Sequence, residues 1–160
     1  MKRLLPILLV ALFFCSCSNK SIFDETHTFA NNTWMRFEPE KFVLNVDNAD
    51  DCYDLYVALT VDTNKYRDRG LPLILTLESP EQETRTIFGS VILRNEDGSW
   101  LGDFNENGKL VCNHKLREYF FFNTPGEYNL EIGQRTSKYE IHGIESLRLN
   151  IVKAKLEYPE

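Results

Sequence analysis

The segment Tyr53-Asp54-Leu55-Tyr56-Val57-Ala58-Leu59-Thr60 decides the fold, because its large apolar residues recur at every second position. A helix would need apolar residues three or four positions apart, whereas a period of two places them on one face of a β-strand. Tyr53, Leu55, Val57 and Leu59 share that face. The segment therefore predicts a strand with one side against a hydrophobic core.

The same alternation recurs before and after this segment. It is found within residues 42–47, 128–133 and 147–152, while residues 73–77 form a short apolar run, residues 84–93 are rich in β-branched and aromatic residues, and residues 110–122 are a further candidate. Residues 110–122 hold one long strand or two strands with a kink. Turn-forming residues separate these segments, at Asn95-Glu96-Asp97-Gly98, Asn107-Gly108 and Pro125-Gly126. We predict an all-β protein, an antiparallel β-sandwich of about eight strands, of jelly-roll or immunoglobulin-like type; a closed barrel is the alternative.

The N-terminus has the pattern of a lipoprotein signal peptide. Lys2 and Arg3 precede an uncharged run over residues 4–14, which is shorter than the roughly 20 apolar residues of a membrane-spanning helix. Cys17 follows a small residue, Ser16, whereas Cys15 follows the bulky Phe14. We predict cleavage before Cys17 and fatty acylation of Cys17; the alternative is a secreted protein with unmodified cysteines. Two or more acyl chains hold a protein stably on a bilayer.

This processing predicts three regions of the chain. Residues 1–16 form the signal peptide, residues 17–28 a polar lipidated tether, and residues 29–160 a single β-sandwich domain. The expected location is the cell envelope, on the outer membrane (periplasmic face or surface) or on the inner membrane.

Composition excludes several classes of protein. The 160 residues carry a formal charge of −6, and removal of residues 1–16 leaves 16 basic against 24 acidic residues, or −8. An acidic chain argues against a nucleic-acid partner, which needs clustered Lys and Arg to contact phosphates. Nucleophile elbows, glycine-rich phosphate loops and zinc-binding helices are missing from the sequence. We therefore expect neither an enzyme nor a cofactor or metal site.

Two features leave alternatives open. Outside the cytoplasm Cys52 and Cys112 could form a disulfide, or each could be a small buried apolar residue on its own strand. Residues 103–108, Asp-Phe-Asn-Glu-Asn-Gly, match the first half of a calcium loop. The twelfth loop position is His114 instead of a bidentate Glu, so a β-hairpin is favoured there.

An ordered set of short motifs resembles the family of gliding-motility lipoproteins called GldH. The motif Asp97-Gly98-Ser99-Trp100-Leu101-Gly102 resembles the family's Asp-Gly-x-Trp-Leu-Gly turn, and Trp34 lies in an Asn-x-x-Trp element. The other matching pieces are Tyr53-Asp54-Leu55-Tyr56-Val57, Asn64-Lys65-Tyr66, Thr124-Pro125-Gly126-Glu127-Tyr128, Gly133-Gln134-Arg135 and Gly143-Ile144-Glu145-Ser146-Leu147-Arg148-Leu149.

The resemblance implies a role in gliding motility and the associated type IX protein secretion. Members of the family act as structural or accessory parts, so the expected partners are protein components of a motility or secretion complex and the lipid bilayer. Trp34 and the turn at 97–102 are the candidates for structural or partner-facing features. The alternative is a surface glycan-binding lipoprotein in which Trp34 or Trp100 stacks on sugar rings; a hydrolase with two facing carboxylates is a third hypothesis.

Overall fold

The computed structural model describes residues 21–155, and these residues form an all-β structure of antiparallel strands in three sheets. The strands are β1 (Ser21–Thr28), β2 (Thr33–Met35), β3 (Glu40–Val46), β4 (Cys52–Val61), β5 (Gly70–Glu78), β6 (Thr84–Ile92), β7 (Asp103–Phe104), β8 (Leu110–Phe121), β9 (Gly126–Gln134), β10 (Glu140–His142) and β11 (Ile144–Lys153). One 3-10 turn spans Ala30–Asn32. Within residues 21–155, no helix is long and apolar enough to cross a membrane.

The five-stranded sheet has the order β1-β11-β4-β8-β7. Its central strand, β4, is the segment whose alternation predicted a half-buried strand. Leu55, Val57 and Leu59 are fully buried, while Tyr56, Ala58 and Thr60 between them are only partly covered. The predicted period of two is therefore confirmed in the strand on which the sheet is built.

The four-stranded sheet has the order β3-β9-β5-β6, and the remaining sheet pairs β2 with β10. Strand β5 alternates as β4 does, with four leucines buried at positions 71, 73, 75 and 77. The buried residues of both larger sheets belong to one hydrophobic cluster. The two sheets therefore bury their inward faces against a common core, which is the main source of their stability.

The two ends of this body differ in the elements that they contain. The proximal end holds the start of β1, the β3–β4 loop at 47–51 and the end of β11; Ser21, Asp47 and Lys153 line one cleft there. The distal end holds the end of β1, the β2–β10 sheet and the turn at 93–102. Because β1 begins at the proximal end, the chain segment that contains Cys17 enters the body there.

The structure corrects the predicted boundaries. Residues 21–28, predicted as part of a tether, form β1, which pairs with β11 from Ser21 to Thr28. This strand lies at the edge of the sheet and is mostly exposed, so its sequence carries little apolar alternation. The described body therefore begins at Ser21 and not at Phe29. The predicted signal peptide, Cys17 and residues 156–160 lie outside the described residues.

The strand count is also higher than predicted, at eleven within the described residues instead of about eight. The additional strands are the edge strand β1 and the short strands β2, β7 and β10. Residues 110–121 form one long strand, whose pairing with β4 shifts register opposite Tyr53, Leu55 and Tyr56. The kink considered for this segment is therefore a local irregularity within one strand.

Candidate functional site

Cys52 and Cys112 are both free and buried, which overturns a disulfide between them. Cys112 pairs with Leu59 in the ladder between β4 and β8, whereas Cys52 pairs with Phe121. The two thiols are therefore separated by seven residues along β4, or roughly 20 Å, far beyond the reach of a disulfide. Burial raises the pKa of the Cys112 thiol. Cys52 and Cys112 are instead two small buried residues on separate strands, which was the alternative to a disulfide.

Trp34 packs in the core of the distal end. It is 1% exposed, its ring stacks on Phe29 with 4.7 Å between the ring centroids, and its indole N–H donates to the Glu38 carbonyl at 3.2 Å. Across the small sheet it pairs with buried Ile141. A ring enclosed in this way has no free face for a sugar, so Trp34 serves packing.

The first half of the turn at 97–102 is held by its own polar groups. The Asp97 carboxylate accepts hydrogen bonds from the Ser99 backbone N–H at 2.9 Å and from the Ser99 hydroxyl at 2.6 Å. These hydrogen bonds lower the pKa of the Asp97 carboxyl group. Gly98 has φ of +85°, a conformation that glycine adopts readily. Asp97 and Gly98 thus shape a tight turn.

The second half of the turn attaches it to the body. The Arg94 guanidinium carbon lies 3.5 Å from the centroid of the Trp100 ring, and the Leu101 N–H donates to the Leu93 carbonyl at 2.8 Å. Gly102 has φ of +129°, and a Cβ on it would lie 2.3 Å from the Val111 carbonyl oxygen of β8. Arg94 covers one face of Trp100, so a sugar could reach only the other face of this half-buried ring. Every part of the motif has a structural partner.

The segment that resembled half a calcium loop is a β-hairpin. Asp103 and Phe104 pair with β8, and the Asn105 side-chain oxygen accepts backbone N–H groups from Asn107 and Lys109 at 3.0 and 2.9 Å. The hairpin interpretation is confirmed. Among residues 21–155, no group of three or more His, Cys, Asp or Glu side chains is placed to hold a metal ion.

Two partly buried ion pairs stabilise the five-stranded sheet, and the sequence did not indicate them. Asp54 accepts hydrogen bonds from the Lys115 ammonium at 2.9 Å and from the Tyr119 N–H at 3.1 Å. Asp62 accepts one from the Lys109 ammonium at 2.7 Å, which lowers the pKa of its carboxyl group. Glu118 and Asp54 both raise the pKa of Lys115.

A histidine bridges the two larger sheets on one side. His27 on β1 lies 2.7 Å from Glu40 on β3 and 2.9 Å from Glu25, and its ring stacks on Phe42 with centroids 4.3 Å apart. Burial acts to lower the pKa of His27, but the hydrogen bonds and charges of the two carboxylates outweigh it and raise that pKa. His27 falls within the predicted tether, so this contact could not be expected from the sequence.

Two clefts of about 400 Å³ each open at the ends of the body. The distal cleft is lined by Glu38, Glu40, Glu140 and His142 together with the β2–β10 sheet. Glu40 is engaged by His27, and Glu140 lies 3.3 Å from His142. The proximal cleft lies beside Asp51, whose carboxylate pairs with Lys153 at 2.6 Å. Three of these carboxylates thus already have a cationic or histidine partner.

The outer face of the four-stranded sheet carries exposed apolar residues. Ile74 on β5 pairs with Phe88 on β6 and with Gly133 on β9, and a Cβ at Gly133 would lie 3.8 Å from the Pro39 side chain. These residues cross the sheet in one line, which we call the apolar row: Pro39, Gly133, Ile74 and Phe88. Phe88 is 56% exposed.

The fold and these contacts define a class of protein: a small antiparallel β body whose recognisable sequence motifs hold the structure together. Comparison with protein families is more specific. The family profile described as GldH lipoprotein matches residues 21–151, which begins where β1 begins and covers most of the chain. The chain therefore belongs to the GldH lipoprotein family.

A curated relative agrees with this assignment. The chain is 29% identical over 143 residues to the gliding motility lipoprotein GldH of Flavobacterium johnsoniae, a match that covers 88% of this chain and 86% of the relative. The resemblance inferred from short motifs is thereby confirmed for the family as a whole.

Solved structures give a weaker likeness. Two structures of a fructofuranosidase from Schwanniomyces occidentalis, one with fructosylnystose and one with fructose, align with TM-scores of 0.40 and 0.37 at 9% identity. The matches cover 86% and 84% of this chain but 35% and 34% of the enzyme chains, so this chain spans about a third of their length. No argument about function rests on them.

Proposed function

We propose that this chain is a membrane-anchored lipoprotein of the cell envelope that acts as a non-enzymatic accessory or structural component of gliding motility and the associated type IX protein secretion. The observation that carries the proposal is the family match across residues 21–151, together with a relative named for gliding motility. The motif residues support a structural task, because Trp34 stacks on Phe29, Trp100 lies against Arg94 and Asp97 holds its own turn through Ser99.

The proposed anchor is an acylated Cys17 exposed by cleavage after Ser16. Each acyl CH₂ buried in a bilayer contributes about 0.8 kcal/mol, and two or more chains give stable attachment. Three residues separate Cys17 from Ser21, so the Cα atoms of these two residues lie at most about 14 Å apart. The two face-to-face sheets then form a single sandwich-type domain that stays close to the membrane.

The experiment compares Cys17→Ala with Cys15→Ala in the source bacterium. Acylation is followed by intact mass and by incorporation of labelled palmitate, and location by membrane fractionation. We expect Cys17→Ala to lose the label, leave the membrane fraction and lose motility and secretion, while Cys15→Ala keeps all of these properties. A protein that stays in the membrane fraction without Cys17, or motility that survives its release, would contradict the proposal.

A further inference from the structure

The apolar row is only partly covered among the described residues. Gly133 is buried, Pro39 and Ile74 are half-buried, and Phe88 is 56% exposed. The next row toward the proximal end is polar and consists of Lys41, Glu131, Thr76 and Thr86, with Lys41 and Glu131 joined at 3.0 Å. Apart from Val43, which is 55% exposed, the proximal half of this face is therefore polar.

Arginines accompany the exposed rings of this half. The Arg135 guanidinium carbon lies 4.5 Å from the centroid of the Phe88 ring, and the Arg135 N–H donates to the Pro72 carbonyl of the neighbouring strand. Two residues before Pro39, Phe37 is 73% exposed, with the Arg36 guanidinium carbon 5.5 Å from its centroid. Across residues 21–155, neither arginine forms an ion pair with a carboxylate.

The position of this surface fits a contact made away from the membrane, an argument that rests on the proposed anchor at Cys17. The anchor enters at Ser21, at the proximal end, while Gly133 and Arg135 lie at the distal end of β9. A strand of the length of β4 extends about 33 Å, so the arginines lie at the end of the body farther from the point where the proposed anchor enters.

We propose that the apolar row, with Arg135 and Arg36, is a docking surface for an acidic protein partner. The partner would place apolar side chains against Ile74 and Phe88 and carboxylates against the two guanidinium groups. Arginine and aromatic residues are enriched at the centres of protein interfaces, and guanidinium groups bind carboxylates through paired hydrogen bonds. The predicted mature chain carries a formal charge of −8. The two exposed arginines beside aromatic rings therefore form a local positive site, suited to carboxylates, on a protein that is acidic as a whole.

A second copy of this chain is another possible occupant of the surface. It carries exposed acidic residues at both ends of the body, Asp47 and Asp50 at the proximal end and Glu96, Asp97 and Glu140 at the distal end. Self-association is an outcome that the test can recognise.

The test is photo-crosslinking in intact cells of the source bacterium with the full-length lipoprotein. A photoreactive benzoylphenylalanine replaces Thr86, which lies beside Phe88 on the same outer face, or Asn113, which is exposed on the outer face of the other sheet. We expect one discrete protein adduct from position 86 and none from position 113. The cross-linked partner peptide should contain Asp or Glu beside apolar residues.

Charge and apolar variants then decide whether the adduct depends on the proposed contacts. Phe88→Ser and Arg135→Glu, each combined with the probe at 86, should lower the adduct yield about tenfold or more. The matched variants Phe104→Ser and Arg117→Glu alter an exposed Phe and an exposed Arg on the five-stranded sheet and should leave the yield unchanged.

Several results would overturn the docking proposal: no adduct, equal adducts from 86 and 113, an adduct that persists with Arg135→Glu, a dimer of this chain, or lipid adducts alone. Membrane fractionation of every strain separates this proposal from the proposed anchor. A protein that is membrane-bound without an adduct contradicts docking alone, whereas a protein missing from the membrane contradicts the anchor.

Discussion

Both larger sheets carry exposed apolar residues, but their outer faces differ in how the charged side chains are paired. On the five-stranded sheet, polar side chains of neighbouring strands bind one another: Arg148 makes two hydrogen bonds to Asp24, and Lys115 bridges Asp54 and Glu118. On the distal half of the four-stranded sheet, Phe88 of the apolar row is 56% exposed, and the Arg135 guanidinium carbon lies 4.5 Å from its ring centroid.

The comparison distinguishes residues that stabilise the fold from exposed residues that are free to contact a partner. Asp54 is 7% exposed and satisfies two donors, so its removal must disturb the sheet. Phe88 is 56% exposed and lies outside the core, so the protein needs it little for stability. Changes on the two faces should therefore separate stability from function.

The largest effect is expected at the margin of the five-stranded sheet, with Gly102→Ala. Gly102 has φ of +129°, and its new Cβ would meet the Val111 carbonyl at 2.3 Å, so the turn must leave β8. We expect a loss of about 3 kcal/mol or more in the free energy of unfolding, measured by urea denaturation. Gly98→Ala is the control: φ there is +85° but the space is open, so a loss of about 1 kcal/mol is expected. Equal losses for Gly102→Ala and Gly98→Ala would show that the close approach of Gly102 to the Val111 carbonyl does not matter for stability.

The next effect is expected on the polar face, with Asp54→Ala. The change leaves the Tyr119 N–H without an acceptor and Lys115 with Glu118 as its remaining carboxylate. A loss of about 2 kcal/mol in the free energy of unfolding should follow, because a partly buried donor loses its acceptor and the nearly buried Asp54 loses its ion pair with Lys115. Glu118→Ala removes the exposed partner of the same lysine and should change stability by less than about 0.5 kcal/mol. If Asp54→Ala and Glu118→Ala lower the free energy of unfolding equally, the burial of Asp54 does not determine its contribution to stability.

A smaller, pH-dependent effect is expected where the two sheets meet, at His27. Its folded-state pKa is raised by Glu25 and Glu40, so protonated His27 favours folding. This contribution is complete below the unfolded-state pKa of about 6.5 and is lost as pH rises through the higher folded-state pKa. Urea unfolding of wild type and His27→Gln between pH 5 and 9 should show a difference of up to about 1 kcal/mol that shrinks with rising pH. A difference that grows with pH would contradict this sign.

The smallest effect on stability is expected on the apolar face, with Phe88→Ser. Because the side chain is mostly exposed, the free energy of unfolding should stay within about 0.5 kcal/mol of the wild-type value. Val43→Ser is the control on the same sheet, where Val43 is 55% exposed in the proximal half. A loss above about 2 kcal/mol for Phe88→Ser would mean that Phe88 belongs to the packing of the body.

The sequence predicted those strands whose inward faces are strongly apolar. Alternation in β4 and β5 marks buried faces because leucine and valine there enter the core at every second position. Strand β1 was missed because an edge strand depends on backbone pairing and on contacts such as Arg148 with Asp24. The short strands β2, β7 and β10 span two or three residues, too few for a period to appear.

The candidate surface could not be predicted, because strand register creates it. Pro39, Ile74, Phe88 and Gly133 are far apart in the sequence and meet only when β3, β9, β5 and β6 align as they do. By contrast, the turn at 97–102 is local in sequence and could be recognised as a motif, but its residues hold the turn and attach it to β8. A motif visible in sequence therefore marked a structural element.

The most direct test of the account measures gliding and secretion by cells that carry Phe88→Ser or Phe104→Ser at equal amounts in the membrane fraction. Both variants remove an exposed phenylalanine, one from the apolar row and one from β7 on the other sheet. The account predicts that Phe88→Ser impairs both activities while Phe104→Ser supports them at the wild-type level. Equal activity of the two strains would contradict it.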